Sequence, residues 1–100
     1  MQLKDKVVNV AIQVLPASKE RPMYDIVDDA IELIVKSGLK HRVTPFETVV
    51  EGPYSIVMEL VQNVQEVCYT GGAESLLCNL KIQTHGIKDV TIEDKIEKYE

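Results

Sequence analysis

Apolar positions along this chain follow two rhythms. From Val7 to Leu15, Val8, Val10, Ile12 and Val14 alternate with Asn9, Ala11 and Gln13, the period of two expected of a half-buried strand. Pro16 is expected to end it, and Ala17 to Arg21 reads as a polar loop. Pro22 suits a first helical turn, and Asp25 favours the positive end of a helix dipole. Met23, Ile26, Val27, Ala30 and Ile34 then recur at spacings of three and four, which predicts an amphipathic helix with Gly38 as its C′ residue.

Two short extended pieces follow, His41 to Thr44 and Thr48 to Glu51, joined by Pro45, Phe46 and Glu47 in a tight hairpin. Gly52-Pro53 opens a second helix whose buried stripe is Val57, Leu60, Val61, Val64, Val67 and Cys68; Gly71-Gly72 ends it. Leu76, Cys78, Leu80 and Ile82 alternate with Leu77, Asn79, Lys81 and Gln83 in a second strand of period two. Thr91-x-x-Asp94 is a start signal for a last short helix. Ile92, Ile96 and Tyr99 share one side of that helix, so it is expected to dock on something. Its charge run is a solvated face with Asp94 and Lys98 at i, i+4.

This order predicts an α+β fold, a ferredoxin-like βαββαβ sandwich. Its four-stranded sheet is antiparallel, with two helices on one face and a short C-terminal helix. Residues 1–100 read as a single domain, since a domain usually needs about 100 residues. The chain is 45% hydrophobic, with only five glycines and four prolines, which argues against disorder. Its 16 acids against 11 bases give a net charge of −5, which argues against nucleic acid and anionic membranes as partners. No apolar run reaches the roughly 18 residues of a membrane span. The start of the chain lacks a signal-peptide pattern, so a cytoplasmic location is expected. Cys68 and Cys78 lack metal-site spacing and read as two buried thiols in a reducing compartment.

If one side of each long strand lies under the helices, the other carries Asn9, Ala11 and Gln13, and Leu77, Asn79, Lys81 and Gln83. Val49 and Glu51 point the same way if Val50 is in the core. This mixed face is open to three readings: a solvated surface, a subunit interface, or a ligand pocket walled by a second subunit. No metal cluster, serine-nucleophile elbow or phosphate-binding loop is present, so no catalytic residue and no metal ligand is assigned. The aromatics that an RNA-binding version of the fold needs are absent, and Arg21 is poorly set for acylphosphatase-type chemistry. Glu51 sits in an apolar strand, where a carboxylate must find a donor. Lys81 is its candidate structural partner; the functional alternative is a ligand bearing N–H donors or positive charge.

The segment Thr44-Pro45-Phe46-Glu47-Thr48-Val49-Val50-Glu51-Gly52 resembles the Thr-Pro-x-x-Thr-x-x-Glu-Gly segment of the small thiamine-binding proteins, the YkoF-like group. Val14-Leu15-Pro16, Leu80-Lys81-Ile82 and the closing Thr91 to Glu97 stretch are similar to that family in order and spacing, so the likeness covers roughly residues 7–99. The chain departs from the family pattern at Glu47, Gln83 and Gln13. The resemblance implies a homodimer or homotetramer that binds thiamine or its hydroxymethylpyrimidine half near the sheet and subunit contacts, without catalysis and without a cofactor. By motif it implies Thr44, Thr48 and Glu51 as ligand-binding residues. The chemistry of the ligand fits these residue types. Thiamine carries a thiazolium charge and an amino group, so a carboxylate makes a charge-assisted bond to it. Gln13, Asn79 and Lys81 complete the polar set, while Phe46, Val49 and Leu77 are placed to pack a ring. The alternative is an oligomeric interaction module with no small ligand.

Overall fold

The computed structural model describes residues 2–99, the side chain of Lys98 excepted, so the Asp94–Lys98 spacing lies outside the described residues. The elements are β1 (Val7–Ala17), α1 (Met23–Lys36), β2 (Lys40–Val43), β3 (Thr48–Pro53), α2 (Tyr54–Thr70), β4 (Ser75–Gln83) and α3 (Ile92–Ile96). A 3-10 turn at Leu3–Asp5 precedes β1, and another at Glu97–Tyr99 follows α3. The sheet order is β2-β3-β1-β4 and every neighbouring pair is antiparallel. This is the ferredoxin-like α+β sandwich that the two periodicities predict.

The period-two residues of β1 form the floor of the core. Val8, Val10, Ile12 and Val14 are all buried, against Ile26, Ala30 and Ile34 of α1 and Val57, Leu60, Val61, Val64 and Cys68 of α2. Val50 is fully buried opposite Val10, which puts Val49 and Glu51 on the far face as expected. Gly38 ends α1 with φ +77°, a left-handed conformation that costs glycine little. Gly52 serves another need: a Cβ there would meet Leu39 and Val57 side-chain carbons at 3.2 Å, so the missing side chain lets α2 close onto the sheet.

Several expectations change. Pro16 does not end β1; it pairs opposite Leu76, and the strand continues to Ala17. Pairing with β3 stops at Ile12, so at Pro16 the strand has β4 on one side only, where a missing N–H breaks no ladder. Ile82, on the core side of β4, is 45% exposed, because an edge strand at that end lacks helix cover. Met23 belongs to the helical apolar stripe by spacing but is 39% exposed, because α1 begins beyond the packed core. Cys68 is buried, whereas Cys78 is only half-buried; both are free thiols raised in pKa by burial.

The far face of the sheet is not bare. After β4 the chain turns back across one half of it and is fastened strand by strand. Lys6 Nζ donates to the Ile87 carbonyl at 2.8 Å, and the Val7 N–H donates to Asp89 Oδ1 at 3.1 Å. The Val90 N–H donates to the Val7 carbonyl at 3.0 Å, and Asn9 Nδ2 to the Val90 carbonyl at 3.0 Å. Val90 and Ile92 are buried by this return, and so is Asn9, which strand alternation alone would leave in solvent. Asn9 Oδ1 is buried with no hydrogen-bond partner among the described residues. Thr91 Oγ1 accepts the Asp94 N–H at 3.2 Å, the cap that its spacing predicts. The surface on which α3 docks is therefore the sheet of its own chain, and Ile92 carries the contact; Tyr99, expected on the same side, is 76% exposed.

Candidate functional site

The geometry of the site begins where β1 outruns β3. Beyond Ile12 the strand has no neighbour on the β3 side, while the hairpin bends away and α1 starts nearby. A cavity of about 420 Å³ lies between these three elements, within the roughly 300–1,000 Å³ of small-ligand sites. Its inner wall is apolar, with Ile12, Val14, Val27, Ile31 and Ile34 among its residues.

The hairpin that closes one side is shaped by Thr44. Its backbone N–H donates to the Glu47 carbonyl at 3.0 Å, and its hydroxyl donates to the same carbonyl at 2.6 Å. The Glu47 N–H donates back to the Thr44 hydroxyl at 3.2 Å, in place of a backbone carbonyl. Pro45 holds the corner, since its ring fixes φ. The result leaves Phe46 80% exposed at the cavity mouth. Tyr24, in the first turn of α1, also lines the cavity and is 74% exposed. Single exposed aromatics are ordinary, but two on one cavity form a pair of flat surfaces for a flat ligand.

Charge at the cavity is negative. Asp28 and Glu47 line it, and among the described residues none that lines it is basic. Two nearby cations are already ion-paired, one of them with a lining residue. Lys81 pairs with Glu47 at 3.2 Å. Arg21 pairs with Asp29 through both guanidinium nitrogens and also donates to the Gly71 carbonyl at 3.1 Å and the Asp25 carbonyl at 3.4 Å. The hydrogen bond from Arg21 holds the Asp29 carboxyl below the usual carboxylate range.

Four of the seven candidate residues meet at this cavity: Gln13, Thr44, Phe46 and Thr48 all line it. Thr48 is buried opposite Ile12, at the inner wall. Asn79 stands beside them, its Nδ2 donating to Gln13 Oε1 at 3.1 Å across the open face. Lys81 joins the edge through Glu47, which corrects its expected pairing with Glu51: the two lie on different rows of the sheet, Lys81 opposite Ala11 and Glu51 opposite Asn9. Glu51 itself lies three residues along β3 from Thr48, about 10 Å at strand rise, and on the other face. Its Oε1 accepts the Ile92 N–H at 2.6 Å. The donor that a carboxylate in this apolar strand requires is thus the C-terminal segment of the chain.

Tyr24 and Asp28 are cavity residues that sequence patterning does not single out. Both fall on the polar side of a helix whose apolar stripe draws attention elsewhere. The available signal is their spacing: a tyrosine and an aspartate at i, i+4 share one face of α1.

A family model for thiamine-binding proteins matches residues 10–100. The chain belongs to that family. It is 36% identical to a UPF0045 protein of Clostridium perfringens over 91% of this chain and 95% of the relative. Among solved structures, the family member described here is similar to a Bacillus cereus domain of unknown function, with 31% identity, a TM-score of 0.93 and coverage of 100% and 96% of the two chains. It is also similar to a Thermotoga maritima protein described as a "putative thiamine biosynthesis/salvage protein", with 32% identity, a TM-score of 0.85 and coverage of 94% and 99%. Thiamine-binding family membership gives this chain a thiamine-related role. No helix among the described residues is long and apolar enough to cross a membrane.

Proposed function

We propose that this protein binds thiamine or its hydroxymethylpyrimidine half without transforming it, as a carrier, buffer or sensor in the cytoplasm. The ligand site is the cavity between β1, α1 and the β2–β3 hairpin. The observation that carries this reading is the combination at one cavity of two exposed aromatic rings with two carboxylates and, among the described residues, no basic lining residue. A flat ring slides between Tyr24 and Phe46. The thiazolium is a cation: the Asp28 carboxylate attracts it by charge, Glu47 less so because Lys81 pairs with it, and the faces of Tyr24 and Phe46 add cation–π attraction. Gln13 and Thr48 offer hydrogen bonds to the pyrimidine edge. The free thiols Cys68 and Cys78 fit a reducing compartment.

The uncovered half of the open face supports self-association. Leu15 and Leu77 lie opposite each other there, 39% and 59% exposed, beside the free edge of β4. A homodimer or homotetramer buries this patch symmetrically, and light scattering of the purified protein reads the state directly. An oligomer indifferent to thiamine compounds would instead be an interaction module.

Isothermal titration with thiamine, then with hydroxymethylpyrimidine, tests the binding reading. Saturable heat at about one ligand per subunit is expected. No heat with either ligand, on protein shown to be folded, overturns it.

A further inference from the structure

We infer that the cavity selects the unphosphorylated alcohol and rejects its phosphate esters. The inference rests on the binding reading above and deepens it. A phosphate ester adds about −1.5 to −2 charges near neutral pH. Sites that hold such groups supply Arg forks, Lys ammonium charges, or clusters of unpaired backbone N–H groups.

Among the described residues this cavity has no basic lining residue, and the cation at its edge, Lys81, is matched by the Glu47 carboxylate. Its ionisable lining residues are Tyr24, Asp28 and Glu47. Lys81 is held by Glu47, and Arg21 is held by Asp29 and two backbone carbonyls. One feature pulls the other way. The first turn of α1 borders the cavity through Met23 and Tyr24, and its Pro22 N-cap makes no side-chain cap. A helix start is worth roughly half a positive charge to an anion. Asp25 lies in that same turn and Asp28 in the next, so the helix start is already compensated by its own carboxylates. The balance at the mouth stays negative, and a phosphate placed there meets repulsion.

The experiment is titration of the intact protein with thiamine, thiamine monophosphate and thiamine diphosphate, without divalent cation, at about 0.15 M and about 1 M NaCl. Asp28→Lys is titrated alongside; Asp28 is exposed, so the change leaves the core intact. Thiamine is expected to bind at least about tenfold more tightly than the monophosphate at the lower salt. The ratio shrinks at the higher salt, where charges are screened over about 3 Å. It also shrinks in Asp28→Lys, which steric exclusion alone would not produce. Equal or tighter binding of a phosphate ester overturns the inference and leaves the binding reading standing. A preference unmoved by both salt and Asp28→Lys also overturns it. If none of the three ligands binds to folded protein, the inference and the binding reading fall together.

Discussion

Glu51 Oε1 accepts the backbone N–H of Ile92 at 2.6 Å, joining the third strand of the sheet to the first turn of the last helix. Forty-one positions separate the two residues, and the bond fixes where the chain's end lies on the sheet. A hydrogen bond to a charged acceptor is worth about 1.5–3 kcal/mol. Glu51→Ala is expected to lower stability by that order and to speed amide exchange at Ile92 and Val90. Thiamine affinity is expected to stay within about twofold, since the cavity lies at the other end of β3. Denaturant unfolding, hydrogen exchange and titration of one variant check all three.

Much of this architecture is legible in the sequence. Period two finds β1 and β4, period three-to-four finds α1 and α2, and Thr91 announces α3. What is illegible depends on contacts distant along the chain. Residues 84–90 carry no periodicity, so nothing local says that Val90 and Ile92 will cover Asn9. Pro16 signals a strand end unless one knows that β3 has already stopped at Ile12. At the site, the motif segment marks Thr44, Phe46, Thr48 and Glu51 alike and does not say that Thr48 and Glu51 serve different ends. Alternation and the return of the chain's end send those two to different faces.

The two mouth aromatics predict a loss of binding with little loss of fold. Phe46→Ala and Tyr24→Ala are each expected to weaken thiamine roughly 3- to 10-fold, from stacking and cation–π contributions of about 0.5–1.5 kcal/mol. Both side chains are mostly exposed, so stability should move by no more than about 0.5 kcal/mol. Titration paired with thermal melts separates the two effects.

Gly52 tests the packing of the strand-to-helix corner. In Gly52→Ala the new methyl meets Leu39 and Val57 carbons at 3.2 Å, and both must shift. A loss of about 1–3 kcal/mol is expected from overpacking, read by chemical denaturation.

Asp29 gives a pH signature. Its carboxyl lies below the usual range because Arg21 hydrogen-bonds it. A lowered carboxylate stabilises the fold fully above its unfolded pKa, about 3.9, and that stabilisation is lost as pH falls through the folded value. Melting temperatures of the wild-type chain and Asp29→Asn should therefore differ by a constant amount from pH 5 to 8. The gap should narrow below about pH 4.

A map of amide shifts on adding thiamine to isotopically labelled protein locates the bound ligand residue by residue. With thiamine in the cavity between β1, α1 and the hairpin, shifts concentrate at residues 12–15, 23–28 and 44–48, with Asp89 to Glu93 unmoved. Shifts centred on Glu51, Val90 and Ile92, or no shifts at saturating ligand, would contradict this placement.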